Sequence, residues 1–363
     1  MLHDALQRVS SVVPQKPTLP VLANYLLTAS DGRLTVSGTD MDMAITTTIE
    51  CEVEGEGAVT VNAKRFYSIV RELPEGQVSI DVSGEKVTVE FSGGSASIMG
   101  MSAADYPQVR NEITGNEVVL SGNDLIEMVD KTIFSVATER TRVALTGVYW
   151  RVSKEETMMV ATDGHRLSLF EKKTGNENDQ LTEAIVPPKV LTQASRIVSQ
   201  DNEMAKVIFG DGSILFDFAD TRVYSKLIDG PYPDFRNVIP ENNTKHVFVS
   251  RGDFEAAVRR VSQVSSSITH QIRLSVAPNS MEISTSNADI GGEAREKLVA
   301  NYEGDPITAG FNSQFLLDIL RKIETDEVVI ELELATSACL IKPVTKEDRG
   351  ENLYLIMPLR LNE

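Results

Sequence analysis

The sequence predicts an α+β protein built from three tandem copies of one unit, each with two helices packed on antiparallel sheet. Three observations carry this. A strand runs directly into a helix three times, and Phe66, Leu191 and Leu316 mark equivalent positions 125 residues apart. Each of these helices is followed by an alternating strand, a polar turn and a second strand, the pattern of a hairpin. Upstream, Thr39-Asp40, Thr162-Asp163 and Ser286-Asn287 recur at intervals of 123 or 124 residues. Self-similarity at a fixed period is the signature of repeated architecture.

Taken in order, helical three-and-four spacing covers Leu2 to Val13, Asn123 to Ser135 and Gly252 to Val264. Each stretch leads into an extended hairpin region: Leu22 to Ile49, Val143 to Phe170 and Ile272 to Val299. The second helix of each unit begins after Val61-Asn62, Val186-Pro187 and Gly310-Phe311-Asn312. The closing strands are Gln77-VSIDV with Val87-TVEF, Lys206-VIF with Ile214-LFDF, and Val328-VIELEL with Cys339-LIK. Polar, Gly-, Asn- or Pro-bearing stretches near Asn111 to Asn116 and Pro240 to Thr244 divide the units. The expected domains are residues 1–113, 114–241 and 242–363. Three such units form an arc, and two arcs related by a two-fold close into a ring.

At 363 residues the chain is too long for one ordinary core, and 41% hydrophobic with 24% charged residues is ordinary for a soluble protein. No apolar run approaches the roughly 18 residues of a membrane helix. Asp4 stands where a signal peptide carries positive charge. Cys51 and Cys339 form no metal-ligand spacing, so a reducing, cytoplasmic setting is expected. The net charge of -18 argues against nucleic acid if it is evenly spread. It is not: the six helical windows (1–13, 63–73, 123–135, 188–199, 251–264, 313–323) hold twelve Lys or Arg against eight acids, while the remainder carries -22. One reading is ordinary solvated helix faces with dipole compensation at Arg71, Arg321 and Lys322. The other is a basic helical surface on an acidic body, able to meet phosphates without reading bases.

Motifs for chemistry are sparse. The sequence has neither a phosphate loop nor a dinucleotide fingerprint, and His3, His246 and His270 are isolated. Within Ala161 to Leu169, ATDGHRLSL, Asp163 and His165 form a possible acid–base fragment of a hydrolytic site, though no nucleophile is near in sequence. The alternative for the same stretch is a hydrogen-bonded turn between strands. The C-terminal run Leu353 to Leu361 is strongly apolar, and Pro358 breaks its strand pattern, so the tail is expected to pack along the body and line a groove.

Several stretches together resemble the bacterial DNA polymerase III beta subunit, the sliding-clamp family. They are Lys16-PTLPVL, Gly38-Thr39-Asp40, Ala161-TDGHRL, Ser225-KLIDG, Tyr232-PDFR and Met357-PLRL, spread over nearly the whole chain. The resemblance implies three DNA-clamp domains per subunit and a head-to-tail homodimer. That dimer rings double-stranded DNA without sequence preference, with helices lining the hole. It implies a processivity factor rather than an enzyme, needing no cofactor or metal and no membrane. The implied partners are the polymerase III alpha subunit, an ATP-driven clamp loader, and other polymerases and repair proteins that dock through short linear motifs. By the same resemblance, the partner-peptide groove between the second and third domains comprises Leu145, Thr162, Gly164, His165, Arg166, Leu167, Pro233, Val238 and the tail Leu355, Ile356, Met357, Pro358, Leu359, Arg360 and Leu361.

Residues implied at DNA are Lys16, Lys64, Arg65, Arg71, Arg140, Arg142, Lys189, Arg196, Arg259, Arg260, Arg321 and Lys322. Ser95, Ile98, Tyr106, Gln263, Val264, Lys297 and Val299 are expected at the dimer seam, where Ser95 to Met101 pairs with Ala294 to Gly304 of the other subunit. Four departures stand out. The family begins with a strand before the first helix, whereas this sequence starts at the helix, so that edge strand is expected to be either missing or cut off. Asn237 replaces a familiar arginine at the groove rim, Thr138 to Ala144 lacks an aromatic pair, and Asn362 and Glu363 extend the tail. A monomeric scaffold that keeps the groove without encircling DNA is the third reading of the chain.

Overall fold

The computed structural model describes residues 1–363 apart from Arg140, 174–179, 199–203, Asp289, 346–350 and 362–363. Arg140 and the terminal Asn362 and Glu363, named above, therefore lie outside the described residues. The first repeat runs α1 (Leu2–Ser10), β1 (Asn24–Ser30), β2 (Arg33–Thr39), β3 (Met43–Glu50), β4 (Gly57–Asn62), α2 (Ala63–Arg71), β5 (Ser79–Ser83), β6 (Lys86–Phe91), β7 (Gly94–Met99) and β8 (Met101–Ser102). The second runs β9 (Gly115–Ser121), α3 (Gly122–Thr132), β10 (Val148–Val152), β11 (Glu156–Thr162), β12 (Arg166–Lys173), β13 (Thr182–Val186), α4 (Pro188–Ile197), β14 (Met204–Gly210), β15 (Ser213–Phe218) and β16 (Thr221–Lys226). The third runs β17 (Lys245–Ser250), α5 (Arg251–Val261), β18 (Gln271–Ala277), β19 (Ser280–Asn287), β20 (Gly292–Val299), β21 (Ile307–Asn312), α6 (Ser313–Leu320), β22 (Glu327–Leu332), β23 (Cys339–Pro343) and β24 (Glu351–Ile356).

The six α-helices among the described residues fall in the six windows that the sequence predicts, α3 starting one residue early at Gly122. Their starts are fixed by local chemistry. Asn62, Ser250 and Asn312 cap α2, α5 and α6, each accepting a backbone N–H from the first turn. The strand expected over Ser95 to Met101 is interrupted at Gly100. A Cβ there would stand 2.2 Å from the Thr60 carbonyl oxygen, so only glycine lets the chain pass between β7 and β8.

The chain divides into two compact units that do not follow the repeats: residues 1–126 with 189–228, and residues 127–188 with 229–363. Unit 1 holds a nine-stranded sheet, β8-β4-β1-β2-β3-β16-β15-β14-β9, and a three-stranded sheet, β5-β6-β7. Unit 2 holds an eight-stranded sheet, β13-β10-β11-β12-β24-β23-β22-β17, and a four-stranded sheet, β20-β19-β18-β21. Every neighbouring pair of strands in these four sheets is antiparallel.

One rule generates both large sheets. The front strands of one repeat join the back strands of the next, through β3 on β16 in unit 1 and β12 on β24 in unit 2. The two small sheets are the halves left over, and each ends in an edge strand: among the described residues, β7 pairs only with β6, and β20 only with β19. β5 also has a single neighbour, β6, whereas its counterparts β14 and β22 are flanked on the far side by β9 and β17.

In unit 1, α1 lies against α2 and against β2 and β3, burying Leu6 and Val9. A Cβ on Gly38 of β2 would come within 2.8 Å of Val9, so glycine permits this close helix-on-sheet approach. In unit 2, α5 and α6 pack together over a core that includes Phe254, Phe311, Leu316, Ile330 and Tyr354.

Candidate functional site

The ATDGHRL stretch is the turn between β11 and β12, and side-chain hydrogen bonds define it. The Thr162 hydroxyl donates to the Arg166 carbonyl (2.6 Å) and accepts from the Gly164 N–H (3.1 Å). Asp163 Oδ1 accepts from the N–H groups of His165 (2.8 Å) and Arg166 (3.0 Å), the aspartate turn expected of this residue type. Gly164 sits at φ +89°, where a side chain would be strained.

Arg166 is buried and acts as a hub. Its Nε donates to Asp163 Oδ2 (3.1 Å), Nη1 to Asp318 Oδ2 (2.7 Å) and Nη2 to the Phe134 carbonyl (2.8 Å). Its guanidinium also lies over two rings, 5.3 Å from the Phe134 centroid and 4.5 Å from that of Phe315. Fixed, satisfied charge of this kind preorganises a surface. The exposed His165 ring stands beside Phe315, with centroids 6.5 Å apart. Asp163 spends both oxygens on the backbone and on Arg166, and no hydrogen bond joins it to the His165 ring. The acid–base pairing that a hydrolytic reading requires is not formed.

The C-terminal tail closes one side. Leu355 and Ile356 pair with Leu167 and Arg166 across β24 and β12, and the Met357 N–H donates to the His165 carbonyl (2.8 Å). Beyond Pro358 the tail crosses to β21. There the Leu359 N–H donates to the Gly310 carbonyl (2.8 Å), and Gln271 Nε2 donates to the Arg360 carbonyl (2.9 Å). A Cβ on Gly310 would stand 2.7 Å from Leu361, so the tail seats there because residue 310 has no side chain.

The expected groove residues therefore divide into two groups. Leu145, Leu167, Leu355 and Ile356 are buried support. Gly164, His165, Pro233, Val238, Met357 and Arg360 are exposed, with Thr162, Pro358, Leu359 and Leu361 partly so. Phe235 buries against Leu167 and Leu355, which anchors the turn Phe235–Val238 that carries Val238. Sequence reasoning missed Phe134, Phe315 and Asp318; an aspartate amid the apolar face of FLLDIL was the one available signal. Arg142, expected at DNA, has guanidinium nitrogens 3.0 Å from the position a Cβ on Gly164 would take, at the rim of this turn.

The basic residues expected at DNA are mostly engaged. Arg71 pairs with Glu72, Lys189 with Asp40, Arg259 with Glu255, Arg260 with Glu296, Arg321 with Asp318 and Lys322 with Asp130. Lys16, Lys64, Arg65 and Arg196 are exposed and carry no ion pair among the described residues. Of the expected seam residues, Ser95 and Lys297 are exposed, Val299 is 87% exposed, and Ile98, Gln263 and Val264 lie at or near the surface. Tyr106, also expected at the seam, is buried within its own chain at 7% exposure. Its hydroxyl donates to the Asn24 carbonyl (3.2 Å), and burial pushes its pKa up to about 12.

Three parts of one family match the chain: the N-terminal domain of the DNA polymerase III beta subunit over residues 1–110, the central domain over 119–234, and the C-terminal domain over 236–360. Similar relatives include the beta sliding clamps of Caulobacter vibrioides (33% identical; 99% of this chain and 98% of that one) and Escherichia coli (31%; 99% and 98%). Among solved structures, the Pseudomonas aeruginosa sliding clamp superposes with TM-score 0.94 at 28% identity, covering 99% of this chain and 97% of that one. The Bartonella birtlesii clamp bound to griselimycin gives 0.93 at 31% identity, with coverage of 99% and 97%. The chain belongs to the DNA polymerase III beta subunit family, the bacterial sliding clamps.

Proposed function

We propose that two copies of this chain close head to tail into a ring around duplex DNA. There they hold a polymerase and other replication and repair proteins by short peptides seated in the unit 2 groove. The observation that carries the ring is the leftover pair of edges. In sequence order within its repeat, β20 corresponds to β3 and β12, and β7 corresponds to β16 and β24. The junction rule that joins β3 to β16 and β12 to β24 has one unmade instance, β20 on β7. Those two strands cannot meet a third repeat in the same chain, but a partner subunit supplies it. Both carry exposed apolar residues, Met99 at 68% and Val299 at 87%, such as an unpaired interface leaves open. A two-fold then produces two identical seams and a closed particle.

Processivity follows from topology. An encircled duplex is retained without base contacts, so a net charge of -18 is compatible with DNA as long as the exposed Lys and Arg face the hole. Opening such a ring requires an external loader. For the groove, griselimycin is the direct probe, because the Bartonella relative binds it. Among the described residues no helix is long and apolar enough to cross a membrane.

Sedimentation equilibrium tests the ring. A species of twice 39.8 kDa is expected at micromolar concentration, and a stable monomer there would contradict closure. Griselimycin titrated into protein carrying methyl-labelled methionine is expected to shift Met357. No shift at Met357 would remove the groove from this account.

A further inference from the structure

Unit 1 contains a second copy of the groove's framework. Thr39 and Asp40 repeat the bonds of Thr162 and Asp163. The Thr39 hydroxyl donates to the Met43 carbonyl (2.8 Å) and accepts from the Met41 N–H (3.0 Å), while Asp40 Oδ1 accepts from the Asp42 (3.1 Å) and Met43 (2.8 Å) N–H groups. Met41 has φ +81°, against +89° at Gly164. The departing strand repeats too: the Lys226 N–H donates to the Asp42 carbonyl (2.9 Å), as Met357 donates to His165 (2.8 Å). Leu22 is buried in a turn bonded to the Leu19 carbonyl (3.0 Å), as Leu145 is bonded to that of Arg142 (3.0 Å). Tyr106-Pro107-Gln108-Val109-Arg110-Asn111 answers Tyr232-Pro233-Asp234-Phe235-Arg236-Asn237.

The backbone turns agree, but Met43 stands where unit 2 has Arg166, Lys189 pairs with Asp40 in place of that arginine, and the lips differ. Where unit 2 has Arg142 and Gly164, unit 1 has Leu19 and Met41, 48% and 49% exposed. Where unit 2 has His165 and Val238, unit 1 has Asp42 and Glu112, with side chains 76% and 81% exposed. A methionine at positive φ costs about 1 kcal/mol that glycine avoids. The turn's hydrogen bonds hold this backbone, but the Met41 side chain, half in solvent, packs little in return.

We propose that the Leu19–Met41–Asp42 lip of unit 1 is a second peptide-docking surface, suited to an extended segment of leucines flanked by lysine or arginine. This rests on reading the unit 2 framework as a guest groove. Met41 and Leu19 supply adaptable apolar contact. Asp42 and Glu112 supply charge complementary to a basic guest, the reverse of the Arg142 rim of unit 2. Lys226 holds Asp42 at 2.8 Å and Arg222 holds Glu112 at 3.3 Å, but both pairs are exposed, and a guest lysine displaces either at small cost.

The probe is an acetylated, amidated Lys-Leu-Lys-Leu-Lys peptide titrated into methyl-methionine-labelled protein. The expected result is a saturable shift of the Met41 methyl with Met357 unmoved, and at least tenfold weaker binding when glutamate replaces each lysine. Met41→Gly is expected to weaken binding at least tenfold while Tm stays level or rises, because the φ strain is relieved. Equal binding by Met41→Gly, a shift at Met357 instead, or no shift at either methionine would overturn the proposal. Griselimycin at Met357 reports separately on the unit 2 groove, so the two readings fail independently.

Discussion

Replacing Arg166 by Ala leaves Asp163 and Asp318 without their shared cation and opens space between Phe134 and Phe315. The loss is expected to be about 2–3 kcal/mol, read as a fall in the unit's Tm. Lysine should not restore it, because the three donors are set by the planar fork. His165→Ala is the complementary case: the ring is exposed and bears no internal hydrogen bond, so Tm should hold while griselimycin affinity falls about tenfold, near 1.4 kcal/mol. A His165→Ala protein that binds griselimycin as tightly as the parent would take His165 out of the groove. At this scale the turn was legible in the sequence, because Thr, Asp and Gly act within four residues of one another. The hub was not. Arg166 finds Phe134 32 residues away and Asp318 152 residues away, and only the completed sheet brings them together.

Among elements, the junction between β12 and β24 carries a built-in weakness. Glu171 lies opposite Glu351, and its carboxyl is held above the usual range by burial and then by the neighbouring charges of Glu156 and Glu351. A carboxyl raised in the folded state favours folding below its unfolded pKa, and that contribution is lost as pH rises through the folded value. Glu171→Gln should therefore stabilise at pH 8, by no more than a few tenths of a kcal/mol because solvent screens a carboxyl only partly buried, and by nothing near pH 4, as read by urea midpoints. An unchanged midpoint at pH 8 would argue that solvent screens this cluster fully. The helices and most strands were readable from period alone, since amphipathic spacing is a local property. The partition into compact units was not, because strand order across β3–β16 and β12–β24 depends on pairing between repeats that no single repeat encodes.

For the whole molecule, repetition does the work of assembly. One junction, made twice within the chain, leaves one pair of edges for a second copy. Ile98→Asp on β7 is expected to shift the particle to monomer, with Tm of each unit little changed because that edge pairs only with β6. The threefold period was legible in the sequence, and the proposed ring rests on it. The sequence held no sign that Tyr106 turns inward to bond Asn24, because that contact joins residues 82 positions apart. The most direct test of encirclement loads the clamp onto nicked circular plasmid and then linearises it with a restriction enzyme, following protein retention by gel filtration. Retention on the circle with loss on linearisation is the result this account expects; equal retention on both would contradict it.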